Sequence, residues 1–138
     1  MKLTSVILFA CMSVFCLLGC GGGGFNVGNY VGTYDGSGSV DRGKTGTLHF
    51  TTDAEGIIAG TFVVNGTETT GTGFNFAPGT YVVVGSVTST NGGFTISGSV
   101  PDQGDFVIRG PFPSLTQSRE YKIRANADNF TGTLVKTD

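Results

Sequence analysis

Three cysteines and one histidine are the residues of this 138-residue chain best suited to act as nucleophiles or metal ligands. Because His49 is the single histidine, a metal site built on several imidazoles is excluded, and a Ser-His-Asp arrangement would have to recruit it. The alternation of His49 with Leu48 and Phe50 places it on the polar face of a strand. We therefore expect a solvent-exposed histidine, no catalytic residue, no bound metal and no cofactor.

Residues 38–45, Gly-Ser-Val-Asp-Arg-Gly-Lys-Thr, match the spacing of a P-loop, with Lys44 placed to reach phosphates. A P-loop connects a parallel strand to a helix, whereas the residues from Gly46 onward continue as another strand. We therefore interpret Gly38 to Thr45 as the first hairpin loop and expect no nucleotide partner.

Cys20 lies at the end of an N-terminal segment that is mostly apolar, unlike the rest of the chain. The thirteen residues from Val6 to Leu18 are predominantly apolar, and small Gly19 stands directly before Cys20. Spanning a bilayer takes about 20 apolar residues, so this run is too short for a transmembrane helix. A basic start, a short apolar stretch and a small residue are typical of a secretory signal peptide. The other two cysteines have less suitable flanking residues, which makes Cys20 the favoured processing site.

The run Leu17-Leu18-Gly19-Cys20 resembles the lipobox of bacterial lipoprotein signal peptides. The resemblance implies that residues 1–19 are removed and that Cys20 becomes the acylated first residue, carrying palmitate-type chains that bind the membrane. Residues 20–28 would then form a glycine-rich tether and residues 29–138 the folded domain. The location implied is the outer membrane, on its periplasmic or surface face, in a cell with two membranes, and otherwise the outer face of the plasma membrane.

Composition limits the partners and the fold. The net charge of −2 gives no basic surface of the strength that nucleic acid requires, so we expect no nucleic-acid partner. With Cys20 acylated, no disulfide is available to the folded part. Leu and Ala are scarce there, whereas Thr, Val, Phe and Gly are abundant, which favours strands over helices.

Period-two alternation of apolar and polar residues predicts an antiparallel meander of eight or nine strands. These strands cover residues 30–35, 47–51, 58–64, 81–87, 94–100, 106–112, 121–125 and 130–134, with a weaker one at Thr67–Thr72. Gly, then Ser or Thr, then an apolar residue recurs eight times, which puts glycine on the inner face, where it lets a strand coil sharply. We predict an all-β, closed up-and-down barrel, with a β-sandwich as the alternative.

In length and in the spacing of its predicted strands, the chain is similar to small up-and-down barrels such as the avidin and lipocalin group and the barrel domains of bacterial surface lipoproteins. This resemblance is one of pattern and supplies no ligand residues. Eight-stranded barrels are often filled by their own side chains, and six phenylalanines are predicted to point inward. They are Phe50, Phe62, Phe94, Phe106, Phe112 and Phe130. We expect a packed core and no ligand cavity.

Two features are candidate contact sites. Arg109, Lys122 and Arg124 share the outward face of two strands expected to be neighbours, with Arg119 in the loop between them. This patch suits anionic lipid headgroups, lipopolysaccharide or glycan, although Asp105 and Glu120 also lie near it. The second is an aromatic loop at residues 73–79. Its Phe74 and Phe76 would contact another protein if exposed, or plug the barrel if folded inward.

These observations favour a non-enzymatic binding or structural module of the cell envelope, attached to the membrane through Cys20, with a protein or envelope glycan as partner. An inhibitor of an exported hydrolase, such as a lysozyme or a protease, is the alternative function. A small-ligand-binding barrel ranks below both.

Overall fold

The computed structural model describes residues 25–67, 71–88 and 92–138, and these form a closed barrel of eight antiparallel strands. The strands are β1 (Gly32–Val40), β2 (Lys44–Thr52), β3 (Ile57–Asn65), β4 (Gly79–Thr88), β5 (Gly93–Val100), β6 (Gly104–Pro111), β7 (Arg119–Ala125) and β8 (Asp128–Lys136). Each strand pairs with the next along the chain, and β8 pairs with β1 to complete the cylinder. The predicted up-and-down barrel is confirmed, and the sandwich alternative is wrong.

The barrel interior is packed with side chains. Along β2 every second residue is buried, and the same alternation follows the other strands, so that one apolar face per strand lines the core. All six phenylalanines predicted to point inward lie in this core or pack against its margin. Their rings form two clusters. In one, Phe50 lies 5.3 Å from Phe94 between ring centroids, and Phe112 contacts both. In the other, Phe62 lies 5.6 Å from Phe106, and Phe130 joins them through the ring of Phe76. The packed core expected from the sequence is therefore present.

Inward glycines let neighbouring strands approach closely, as the recurring Gly-Ser/Thr-apolar motif predicts. A Cβ atom added to Gly60 would stand 2.0 Å from the carbonyl oxygen of His49, and one added to Gly85 would stand 2.0 Å from that of Thr95. Both distances are far below van der Waals contact, so no side chain fits at either position. These glycines allow the sharp coiling that a small barrel needs to close.

Three local expectations need correction. Tyr30 belongs to a 3-10 helix, Val27–Tyr30, and not to the first strand. The weak strand proposed at Thr67–Thr72 is absent at 67, 71 and 72, and its residues 68–70 lie outside the described part. The first hairpin loop is shorter than Gly38 to Thr45, because the strands extend until only a 3-10 turn, Asp41–Gly43, separates them. Pairing β1 with β2 over nine positions outweighs the turn preference of the intervening glycines.

The two ends of the barrel differ in what covers them. The chain enters at the end that carries the β2–β3 and β4–β5 turns and the β6–β7 loop, which we call the entry end. There Phe25 stacks on Tyr30 at 5.6 Å and Tyr30 packs on Phe112 at 4.8 Å. Residues 25–28, expected in the tether, thus belong to the folded domain. The opposite end, which we call the distal end, carries the long β3–β4 connection.

No helix of the described residues is long and apolar enough to span a bilayer.

Candidate functional site

The register of β6 and β7 brings three cationic side chains together on the outer surface. Arg109 pairs directly with Lys122, and Val107 pairs with Arg124, so Arg124 lies diagonally across from Arg109. All three cations are exposed. The predicted neighbourhood of Arg109, Lys122 and Arg124 is confirmed, and we call these three residues the cationic triad.

The triad has no acidic partner within the described residues. Asp105 lies beyond it toward the distal end and Glu120 toward the entry end, and neither comes within 4.0 Å of a triad nitrogen. Like charges directly opposite on neighbouring strands destabilise a sheet. Arg109 and Lys122 are such a pair, so the arrangement carries an electrostatic cost that an anion between the two side chains would relieve.

The triad lines an open groove of about 840 Å³ on the barrel exterior. Thr95 of β5 and Asn129 of β8 add polar groups on either side, and Pro111 lines part of the groove nearer the entry end. The β6–β7 ladder beneath the triad is short, with four paired positions that end at Arg109 and Lys122. Guanidinium groups bind phosphate and carboxylate with two parallel hydrogen bonds, so this chemistry suits anionic ligands.

Arg119 is not part of the triad. It was expected in the loop between the two strands, but it is the first residue of β7 and pairs with Leu134 of β8. It shares the strand face of inward Tyr121 and lies at the entry end, beside Phe112 and Leu115. The one-residue alternation of a strand therefore separates Arg119 from Lys122 and Arg124.

The aromatic loop at the distal end is folded inward. Phe74 and Phe76 are 3% and 0% exposed, so their interpretation as an exposed contact loop is wrong and the barrel-plug alternative is correct. Phe76 packs between Phe62 and Phe106, at 5.7 and 5.3 Å between centroids. The backbone amide of Phe74 donates to the Asp128 carboxylate at 2.7 Å, which fixes the loop over the distal end.

Lys44 holds the same loop from inside. Its ammonium donates to the Asn75 side-chain oxygen at 2.8 Å and to the Phe76 carbonyl at 2.7 Å, and it lies 3.3 Å from the Asp41 carboxylate. Only 1% of Lys44 is exposed. The lysine of the P-loop-like segment is thus engaged within the protein, and that segment forms a β-hairpin, without the helix that follows a P-loop.

His49 lies on the outer surface, as its position in the alternation predicts, but it is paired. Its Nδ1 atom stands 2.6 Å from the Asp35 carboxylate on the neighbouring strand. The sequence shows both residues but not their pairing, which depends on the β1–β2 register. Both side chains are about half exposed, so the pair lies in solvent and not in a cleft.

Comparisons with protein-family models, curated proteins and solved structures found no match to this chain. Within residues 25–67, 71–88 and 92–138, no group of three or more His, Cys, Asp or Glu side chains is placed to hold a metal. Cys20 and the preceding residues Leu17, Leu18 and Gly19 lie outside the described part of the chain. Among the described residues, the cationic triad and its groove have the chemistry of a site for anions.

Proposed function

We propose that this protein is a lipid-anchored cell-envelope protein whose barrel serves as a non-enzymatic binding module for an anionic ligand. The observation that carries the binding role is the cationic triad, three exposed cations in one groove that have no acidic partner among the described residues, in a protein with a net charge of −2. A cluster of this kind raises the local concentration of anions and orients them by bidentate contacts.

The anchoring part of the proposal rests on the sequence around Cys20, with its short apolar run, its small preceding residue and its resemblance to a lipobox. It is tested by growing expressing cells with a clickable palmitate analogue and comparing the wild type with Cys20→Ala. We expect label on the wild type and none on the variant. Label that persists in Cys20→Ala, or a wild type that takes up none, would refute acylation at this residue.

The binding part is tested with a short polyphosphate as probe, titrated into the full chain in a non-ionic detergent and followed by NMR. We expect shifts of amide signals along β6 and β7. An exposed cation contributes about 1 kcal/mol to binding an anion. Arg109→Gln/Lys122→Gln should therefore raise the dissociation constant roughly 30-fold.

Arg119→Gln is the matched control for Arg109→Gln alone, which should weaken binding about 5-fold. Each variant removes one guanidinium charge, and only Arg109 lies in the groove. We expect the dissociation constant of Arg119→Gln to remain within twofold of the wild type. If Arg119→Gln weakens binding as much as a change in the triad, the polyphosphate is attracted by the overall charge of the protein, and the groove is not its binding site.

A further inference from the structure

The folded part of the chain begins very close to Cys20. Phe25 already stacks on Tyr30 at the entry end, and only five residue steps join Phe25 to Cys20. Five residues span at most about 17 Å even when fully extended. If acyl chains hold Cys20 in a bilayer, the entry end must therefore lie within that distance of the headgroups, and the barrel cannot stand far from the membrane.

The rim of the entry end is uneven in charge and polarity. On the β6–β7 side it presents Leu115, which is 66% exposed, and Arg119. The β2–β3 turn presents exposed Asp53 and Glu55. In an eight-stranded cylinder, the β2–β3 and β6–β7 connections lie on opposite sides. An anionic bilayer surface therefore attracts one side of the rim and repels the other.

The cationic triad lies on the same side of the barrel as Leu115. Its groove reaches Pro111, from which the loop carrying Leu115 continues. A barrel that leans onto its β6–β7 side thus places an exposed leucine and four cations against the membrane together. Asp105 and Glu120 lie on the same side, so the four cations outnumber the carboxylates there by two. The strands on the β3–β4 side offer exposed Val82 and Val84 but no charge on their outer face.

We infer that the anionic ligand of the groove is the phosphate of headgroups in the bilayer that holds the anchor, on which the barrel lies with its β6–β7 side down. Leu115 enters the interface, and Arg109, Lys122 and Arg124 contact headgroup phosphates. This inference rests on the proposed lipid anchor and gives the binding groove its partner. Each cation near an anionic surface shifts the balance between docked and detached barrels by about 5-fold, and the triad together by roughly 100-fold.

The absence of tryptophan from the chain allows a site-specific test. Leu115→Trp and Val82→Trp each introduce one fluorophore at an exposed position on a different side of the barrel. The acylated full-length variants are extracted from membranes and reconstituted into vesicles of phosphatidylglycerol and phosphatidylcholine with brominated acyl chains. We expect strong quenching and a blue-shifted emission for Leu115→Trp, and little of either for Val82→Trp.

Removing the triad in the Leu115→Trp background, by Arg109→Gln, Lys122→Gln and Arg124→Gln together, should abolish the extra quenching that phosphatidylglycerol gives over phosphatidylcholine alone. Equal quenching at both tryptophans, stronger quenching at Val82→Trp, or none at either would overturn the inference. Quenching at Leu115→Trp that the triple variant leaves unchanged would overturn the role of the triad. A protein that carries no acyl label and leaves the membrane fraction would instead refute the proposed anchor.

Discussion

The two most deeply buried tyrosines of the barrel offer a sharp test of the core. Tyr34 and Tyr121 are each 1% exposed, yet their hydroxyl groups differ. The Tyr34 hydroxyl donates to the Tyr30 carbonyl at 2.8 Å, whereas the Tyr121 hydroxyl is buried without a hydrogen-bond partner among the described residues. The same substitution, Tyr to Phe, should therefore change the free energy of unfolding in opposite directions.

Tyr34→Phe removes one hydrogen bond and should lower the free energy of unfolding by about 1 kcal/mol. Tyr121→Phe keeps the ring and removes a hydroxyl whose burial without a partner costs about 1 to 3 kcal/mol, so it should raise stability by about 1 kcal/mol after the small void is subtracted. The two variants then differ by about 2 kcal/mol. With a urea slope of about 2 kcal/mol per molar, their unfolding midpoints should be separated by roughly 1 M.

The assay is urea unfolding of both variants and the wild type in the same detergent, followed by circular dichroism. Equal midpoints, or a greater loss of stability for Tyr121→Phe than for Tyr34→Phe, would refute the reasoning, because the Tyr121 hydroxyl would then have to be satisfied inside the barrel. Unequal urea slopes would have to be ruled out first, since they indicate a change in the unfolded or native ensemble and not in the hydrogen bond.

The same two tyrosines predict how the barrel responds to alkali. Burial raises the pKa of Tyr121 to about 12, and burial followed by the charges of Asp138 and Tyr30 raises the pKa of Tyr34 to about 12. In the unfolded chain the pKa of each phenol is 10.0. The contribution of the two neutral phenols to the free energy of unfolding is therefore complete below pH 10 and is lost as the pH rises from 10 toward 12. Near-ultraviolet absorbance should show these two phenols ionising late and together with unfolding. Their ionisation near pH 10 in a folded barrel would contradict this.

Two further substitutions test the distal plug and the closure of the barrel. Lys44→Met leaves the Phe76 carbonyl without its buried donor and should cost about 3 kcal/mol in urea unfolding, whereas Lys122→Met at an exposed position should change stability by less than about 0.5 kcal/mol. Gly60→Ala forces a Cβ against a backbone carbonyl and should cost about 3 kcal/mol, while Gly79→Ala, whose nearest neighbour would be 3.9 Å away, should be close to neutral. Equal effects within either pair would contradict the corresponding contact.

Local pattern was sufficient to predict the strands and their faces. A strand that alternates Leu48, His49 and Phe50 can bury one face only, and residues two apart share that face whatever the rest of the chain does. The inward position of the core phenylalanines followed for the same reason. Tyr30 lies in a 3-10 helix and not in the predicted strand, and its ring packs on Phe112, a contact that the local pattern does not show.

The contacts that matter for binding depend on register and could not be read from the chain. The pairing of His49 with Asp35 and the absence of an acidic partner for Lys122 among the described residues both depend on which residues face each other across two strands. A shift of one residue would move every one of these side chains to the other face.

The sequence by itself determined the class of fold, the packed interior and the resemblance of the segment before Cys20 to a lipoprotein signal, because alternation, composition and short motifs are local properties. The tertiary structure alone decided that Phe74 and Phe76 plug the distal end and that Lys44 holds them there, since the sequence allowed the same loop to be exposed. It also decided that Arg109 and Lys122 face each other, because closure of the barrel sets the register of β6 against β7.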